Sequence, residues 1–236
     1  MQNILYIFKR EFRSYFDSPI AYIVLMFFLI ISGYFFTSNL FLMDQANLRT
    51  LFGIVPLLFV FFIPAISMRL IAEEKKSGTI ELLYTYPIRD MEIVVGKYLA
   101  ALALIVVLLL FSVIYAITVS TLGDMDAGQT FSGYLGLFLM GAAYLAIGIF
   151  ASSITENQIV AFIVALAISF FFFILDKILF FVPLALANIL EYLAIEYHSQ
   201  SISRGVIDSR NVIYFLSMVF VGLLLASHAL SRRKGD

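Results

Sequence analysis

Acids, bases, a glycine and a proline converge on one stretch of this chain, between Arg69 and Pro87. Glu73 and Glu74 are followed by Lys75 and Lys76, then by Ser77, Gly78, Thr79, Ile80, Glu81 and Leu83. Glycine enters the left-handed region without steric cost and is the usual helix terminator. The spacing therefore predicts that the preceding apolar helix continues as a polar one through Glu73–Lys76 and stops at Ser77-Gly78. Gly78 or Thr79 then caps a short helix with Glu81 in its first turn, where the helix dipole favours an acid. Pro87 biases Tyr86 out of helical geometry and ends it, and Asp90 can cap the helix that follows. The expected product is a short helix bounded at both ends, exposing acids and an apolar edge of Ile80 and Leu83. A plain loop would not need a capped helix bounded by Gly and Pro. The plainer reading is a solvated loop whose charges only enforce topology.

No bond-making chemistry is spelled elsewhere. The chain has no cysteine, which excludes disulfides and thiol catalysis, and its two histidines, His198 and His228, are too few for a histidine-built metal centre. There is no Gly-x-x-x-x-Gly-Lys-Ser/Thr loop to cradle a nucleotide and no His-Glu-x-x-His pair. Asp176 lacks the partner carboxylate of an intramembrane aspartyl protease. The adjacent pairs His198-Ser199 and Ser227-His228 lack an orienting acid. The expectation is a non-catalytic chain with no cofactor or metal of its own. Its net charge of −1 gives no basic field for nucleic acid.

The elements that hold these residues are membrane spans. Of the 236 residues, 62% are hydrophobic and 13% charged, against roughly 25% charged in soluble domains. A charge at bilayer mid-depth costs several kcal/mol, so uncharged stretches measure the spans. Residues 18–43, 50–68, 98–123, 127–155, 157–175 and 211–231 carry no charge, and about 20 residues cross a bilayer. The sequence reads as one all-α transmembrane domain with six spans, at about 19–41, 52–72, 97–121, 133–153, 158–176 and 211–231. Residues 1–18 form an interfacial helix, 73–92 the polar connection between spans two and three and 177–210 the long connection on the far side, where 178–195 is expected to fold back as a re-entrant helical hairpin. Lys9, Arg10, Arg13, Arg69, Lys75, Lys76, Arg89, Lys97, Arg232, Arg233 and Lys234 fall on one side; Arg49, Arg204 and Arg210 fall on the other, with Lys177 near a span end. The positive-inside rule then puts both termini in the cytoplasm.

Within 3–16, Ile4, Leu5, Phe8, Phe12, Tyr15 and Phe16 share a helical face opposite Lys9, Arg10, Arg13 and Asp17. That pattern suits a membrane-surface anchor with cations at headgroup level, or a connecting helix docked on a cytoplasmic partner; the two are compatible. Asp17 or Ser18 can cap the next helix, with Pro19 at its first position. On the far side, Asp176-Lys177 is either an interface pair or a gate. His198, Arg204, Asp208 and Arg210 either brace their loop or contact a partner. Small residues along 133–152, including Ala142/Ala146 and Gly148/Ser152, allow close helix approach in lipid.

The pattern Glu74-x-x-x-Gly78-Thr79-x-Glu81-x-Leu83-x-x-x-Pro87, directly after the second span, resembles the ABC-2-type transporter permeases, as does the opening Phe8-Lys9-Arg10-Glu11-Phe12 with Ser18-Pro19. His198 with Ser203–Arg210 and Tyr214-Phe215 is most similar to the gliding-motility-associated branch, related to the permease of nitrous-oxide-reductase maturation, although Asn211 stands where that branch has an acid. The resemblance implies a type V exporter-like fold in the bacterial inner membrane. It implies that Glu73, Glu74, Gly78, Thr79, Ile80, Glu81, Leu83 and Pro87 belong to a coupling helix seated on a separate ATPase, which binds ATP and magnesium. The implied partners are two ATPase copies, a second permease as homodimer or paralogue heterodimer, the lipid bilayer and a membrane subunit with a large periplasmic domain. ATPase closure would tilt spans one, two and five, for transport or for mechanical signalling. The alternative is a channel or membrane anchor with no ATPase.

Overall fold

A computed structural model describes residues 2–42, 47–84, 87–123, 125–179, 183 and 190–232, with the side chains of 42 and 82–84 excepted. The expected re-entrant hairpin over 178–195 falls largely outside these residues, as do Arg233, Lys234 and the Leu83 side chain. Among the described residues all regular structure is helical: α1 (Gln2–Asp17), α2 (Pro19–Leu42), α3 (Arg49–Ser67), α4 (Ala72–Ser77), α5 (Thr79–Tyr84), α6 (Asp90–Leu122), α7 (Ala127–Ser153), α8 (Gln158–Ile178), α9 (Ile195–Ser203) and α10 (Ser209–Arg232). Six segments are long and apolar enough to cross a membrane: α2, α3 with α4, α6, α7, α8 and α10.

Small residues put α7 at the centre. Its most apolar window is 83% buried, against 22% for both α8 and α10, and it packs against α3, α6, α8, α9 and α10. A Cβ on Gly222 of α10 would lie 2.9 Å from the Ala146 carbonyl oxygen, and one on Gly148 would lie 2.6 Å from Ser67 Cβ. The small residues of α7 thus serve contacts inside the subunit. Meanwhile α2, α8 and α10 leave broad apolar faces bare, as a chain dissolved in lipid must.

The second span does not run unbroken into the polar helix. It turns at Met68–Ile71 before α4 begins. The reason is Ser152 of α7: its hydroxyl oxygen accepts from the backbone N–H groups of Ile71 and Ala72, both at 3.0 Å, and donates to the Met68 carbonyl at 2.9 Å. One side chain satisfies the backbone groups that the break leaves free.

At the next junction, α6 starts at Asp90 with Arg89 as its N-cap, so the cap lies one residue before the one the sequence suggests. Glu92 closes the turn by accepting from the Arg89 N–H at 3.1 Å. The helix has 33 residues, about 50 Å, so its first turns extend beyond the apolar layer. Ser18 directly precedes α2, with Pro19 at the first helical position as the sequence suggests, and its hydroxyl donates back to the Tyr15 carbonyl at 3.2 Å.

Candidate functional site

The α1, α4, α5 and α6 segments meet at one end of the bundle around a cluster of four charges. Lys97, on α6, is 1% exposed. Its ammonium lies 3.1 Å from Glu11 Oε1 on α1 and 2.9 Å from Glu74 Oε1 on α4. Arg10 bonds the same two oxygens, at 2.6 Å and 2.8 Å. Two cations and two carboxylates thus interleave, and the cluster is neutral. Burial opposes ionisation of Glu11, but Lys97 and Arg10 outweigh it and hold its carboxyl below the usual carboxylate range. Burial likewise opposes the Arg10 charge, and Glu11 and Glu74 more than offset it. A cavity of about 340 Å³ opens onto this cluster, lined also by Tyr15, Arg69, Glu73 and Thr79.

Backbone packing brings α1 to that position. Ile7 is buried, and a Cβ on Gly96 would lie 2.8 Å from Ile7 Cβ, so glycine is what allows α1 to rest on α6. Leu5, expected on the apolar face, is exposed, and Ile7 takes the buried place instead. The contact face of α1 therefore runs through Ile4, Ile7, Glu11 and Tyr15. Phe12 stacks on Phe8 at a centroid distance of 5.7 Å and meets Phe16 edge-on at 5.1 Å. Lys9 is exposed, and Arg13 pairs loosely with Asp17 at 3.6 Å.

The polar stretch after α3 breaks where the sequence says. Gly78 takes φ +71° and terminates α4, and α5 begins at Thr79. Ser77 Oγ donates to the Glu73 carbonyl at 2.9 Å and meets Thr79 Oγ1 at 2.9 Å, stiffening the joint. Arg69 and Glu73 pair at 2.9 Å one turn apart. Lys75 is buried and its ammonium donates to the Ser153 carbonyl, a second tie to α7. The projecting surface is Lys76, Ser77, Gly78, Thr79, Glu81 and, further on, Pro87, all exposed. Ile80 differs from expectation: it is 1% exposed, so it roots α5 in the protein rather than offering an edge.

At the opposite end, Lys177 bridges Asp176 at 3.2 Å and Glu196 at 2.9 Å; the sequence pairs Lys177 with Asp176 alone. His198 is buried and fully engaged. Its Nε2 lies 3.1 Å from the Tyr192 carbonyl oxygen and its Nδ1 2.7 Å from the Asn211 amide oxygen, and the ring stacks on Tyr214 at 4.0 Å. Asp208 accepts from the Arg210 N–H at 2.9 Å, shaping the loop before α10. Arg204 and Arg210 are exposed and form no ion pair among the described residues; with His198 and Asp208 they line one concavity of about 610 Å³. Asp176 and Lys177 lie outside it. No metal-holding group of His, Cys, Asp and Glu occurs among the described residues.

The family model for the ABC-2 family transporter protein matches residues 5–232. No curated protein matches the chain.

Proposed function

The chain belongs to the ABC-2 transporter family, and from that premise we propose that it is the permease subunit of an ATP-driven complex whose separate ATPase docks on α4–α5. The family implies an ABC ATPase partner in general. The observation that carries the docking site is Glu74. From one carboxylate oxygen it reaches Arg10 on α1 and Lys97 on α6, while its helix is held to α7 through Ser152 and Lys75. A push on the exposed tip of Ser77, Gly78, Thr79 and Glu81 is thereby delivered to α1, α6 and α7 together. A flexible loop would dissipate that displacement. The family resemblance implied tilting of spans one, two and five; the ties seen here favour α1, α6 and α7 as the first elements to move.

In this reading α1, α4 and α5 face the cytoplasm of a bacterium, the membrane is the inner one, and α9 faces outward. Two copies of the permease, identical or paralogous, pair with two ATPases that bind ATP and magnesium. Similarity of His198, Arg204–Arg210 and Tyr214-Phe215 to the gliding-associated branch favours a mechanical output to an outer-face partner, such as a subunit with a large periplasmic domain, over bulk cargo. His198, which fixes α9 to α10 through Asn211 and Tyr214, gives that loop a defined shape for a partner to read.

Glu81 is exposed in the first turn of α5 and makes no ion pair among the described residues. Glu81→Lys is expected to uncouple: hydrolysis by the co-purified ATPase ceases to depend on the permease, while membrane insertion and thermal stability stay at the parent level. Replacing Gly78-Thr79 with bulky residues is expected to uncouple as well, here with some loss of thermal stability, because a side chain is strained at the left-handed Gly78. Normal coupling in both variants, measured as permease-dependent phosphate release in proteoliposomes, would remove α4–α5 from the mechanism.

A further inference from the structure

Glu196 is 5% exposed and its two oxygens are unequally served. Oε1 accepts from the Lys177 ammonium at 2.9 Å and from Gln200 Nε2 at 3.1 Å; Oε2 has no donor among the described residues. Lys177 is itself shared with Asp176 at 3.2 Å, so two carboxylates divide one ammonium and the group carries a net −1. The hydroxyl of Tyr144, whose nearby charges include Glu196, also lacks a partner among the described residues. A buried acceptor left without a donor costs free energy and calls for one.

Glu196 and Gln200 line a cavity of about 440 Å³ together with Arg49, Phe52, Gln129 and Arg204, a size suited to a small ligand. Arg49 is the first residue of α3 and Gln129 lies in the first turn of α7, so the cavity sits at the ends of the spans, at headgroup depth. Both guanidiniums are exposed and neither forms an ion pair among the described residues. Acceptor and negative charge lie on one wall, and two free guanidiniums on the rim.

We propose that this cavity binds a phosphoethanolamine-type zwitterion, its ammonium donating to Glu196 and its phosphate held between Arg49 and Arg204. An ammonium offers the donor that Oε2 lacks and cancels the residual charge of the Asp176–Lys177–Glu196 group. Arginine forks match phosphate oxygens in pairs. Oε2 itself is enclosed, so a rotation of the Glu196 carboxylate is what brings it to the cavity. A trimethylated choline headgroup has no N–H to give, and a glycerol headgroup has no cation, so both are disfavoured. The depth favours a lipid of the adjacent leaflet as the source, with the free headgroup as the other. The site belongs to the membrane chain alone and does not rest on ATPase docking.

The test is native mass spectrometry of the full chain equilibrated in mixed micelles with equimolar phosphatidylethanolamine, phosphatidylcholine and phosphatidylglycerol. Titration with soluble phosphoethanolamine runs in parallel. Retention of the ethanolamine lipid about tenfold or more above the other two is expected. Glu196→Gln abolishes that preference. Arg204→Gln, at an exposed position that leaves folding intact, weakens it severalfold. Soluble phosphoethanolamine that displaces the lipid identifies a site for the free headgroup; failure to displace it identifies a lipid site. Equal retention of all three lipids by the parent chain without headgroup binding, or an unchanged preference in both variants, overturns the proposal.

Discussion

Lys97→Met should cost about 3 kcal/mol or more of stability and free α1 from the bundle. Its ammonium is buried between Glu11 and Glu74, whose side chains retain only 17% and 16% exposure. Removing one partner of a buried pair leaves the other charge uncompensated, typically at about 3–5 kcal/mol. The lower end applies because Arg10, half-exposed, still touches both carboxylates. The neutral cluster would acquire a charge of −1, and Glu11→Gln in the same chain removes that excess. Lys97→Met/Glu11→Gln is therefore expected to recover part of the loss, a non-additivity that reports direct contact. Denaturant unfolding of the detergent-solubilised chain measures both. If Lys97→Met unfolds at the parent midpoint, the cluster does not hold α1 in place.

Ser152→Ala should be nearly as damaging for a different reason. Ile71 and Ala72 are fully buried, and without the Ser152 hydroxyl both of their N–H groups lose an acceptor while the Met68 carbonyl loses a donor. Each buried group left unsatisfied costs about 1–3 kcal/mol, so a loss of about 2–4 kcal/mol is expected. The chain can reduce that cost by letting α3 continue as a helix through 68–71, which would swing α4 and α5 off their present line. Coupling should therefore fail even where the variant inserts normally. Ser153→Ala is the control: its hydroxyl only donates to the Phe150 carbonyl at 2.6 Å within its own helix, and a change within about 0.5 kcal/mol is expected. Faster amide exchange at 71 and 72 in Ser152→Ala, and not in Ser153→Ala, would confirm the role; identical exchange in the two would remove it.

Much of the architecture is legible because charge is so costly in lipid. The gaps between charges outlined six spans without reference to any contact, and Gly78 marked the break between α4 and α5 by backbone sterics alone. What escaped was partnership across the fold. Lys97 reads as one more topological cation, yet it shares a helical face with Val94, Ala101 and Leu104, all buried. A cation on a buried face demands an acid, and Glu11 on the Ile4–Ile7–Tyr15 face of α1 carries the complementary signal. Ser152 could not be told from the small residues around it, since close packing and backbone capping ask for the same small side chain there. Glu196 was hidden for the opposite reason: Asp176 stands next to Lys177 in the sequence, Glu196 lies 19 residues away, and only the approach of α9 to α8 brings it to the same ammonium. Ile80 failed as an exposed edge because six residues of α5 are too few to bury an apolar side chain among themselves, so Ile80 turns into the protein.

The most direct measurement uses the absence of native cysteine. Glu81→Cys carries a single thiol at the exposed tip of α5, and a photoreactive group attached there can be activated in native membranes. The account predicts one dominant adduct, between this chain and an ATP-hydrolysing subunit, identified by mass spectrometry of the cross-linked peptide. Adducts only to lipid or to other copies of this chain, in membranes where the ATP-hydrolysing complexes remain whole, would contradict it.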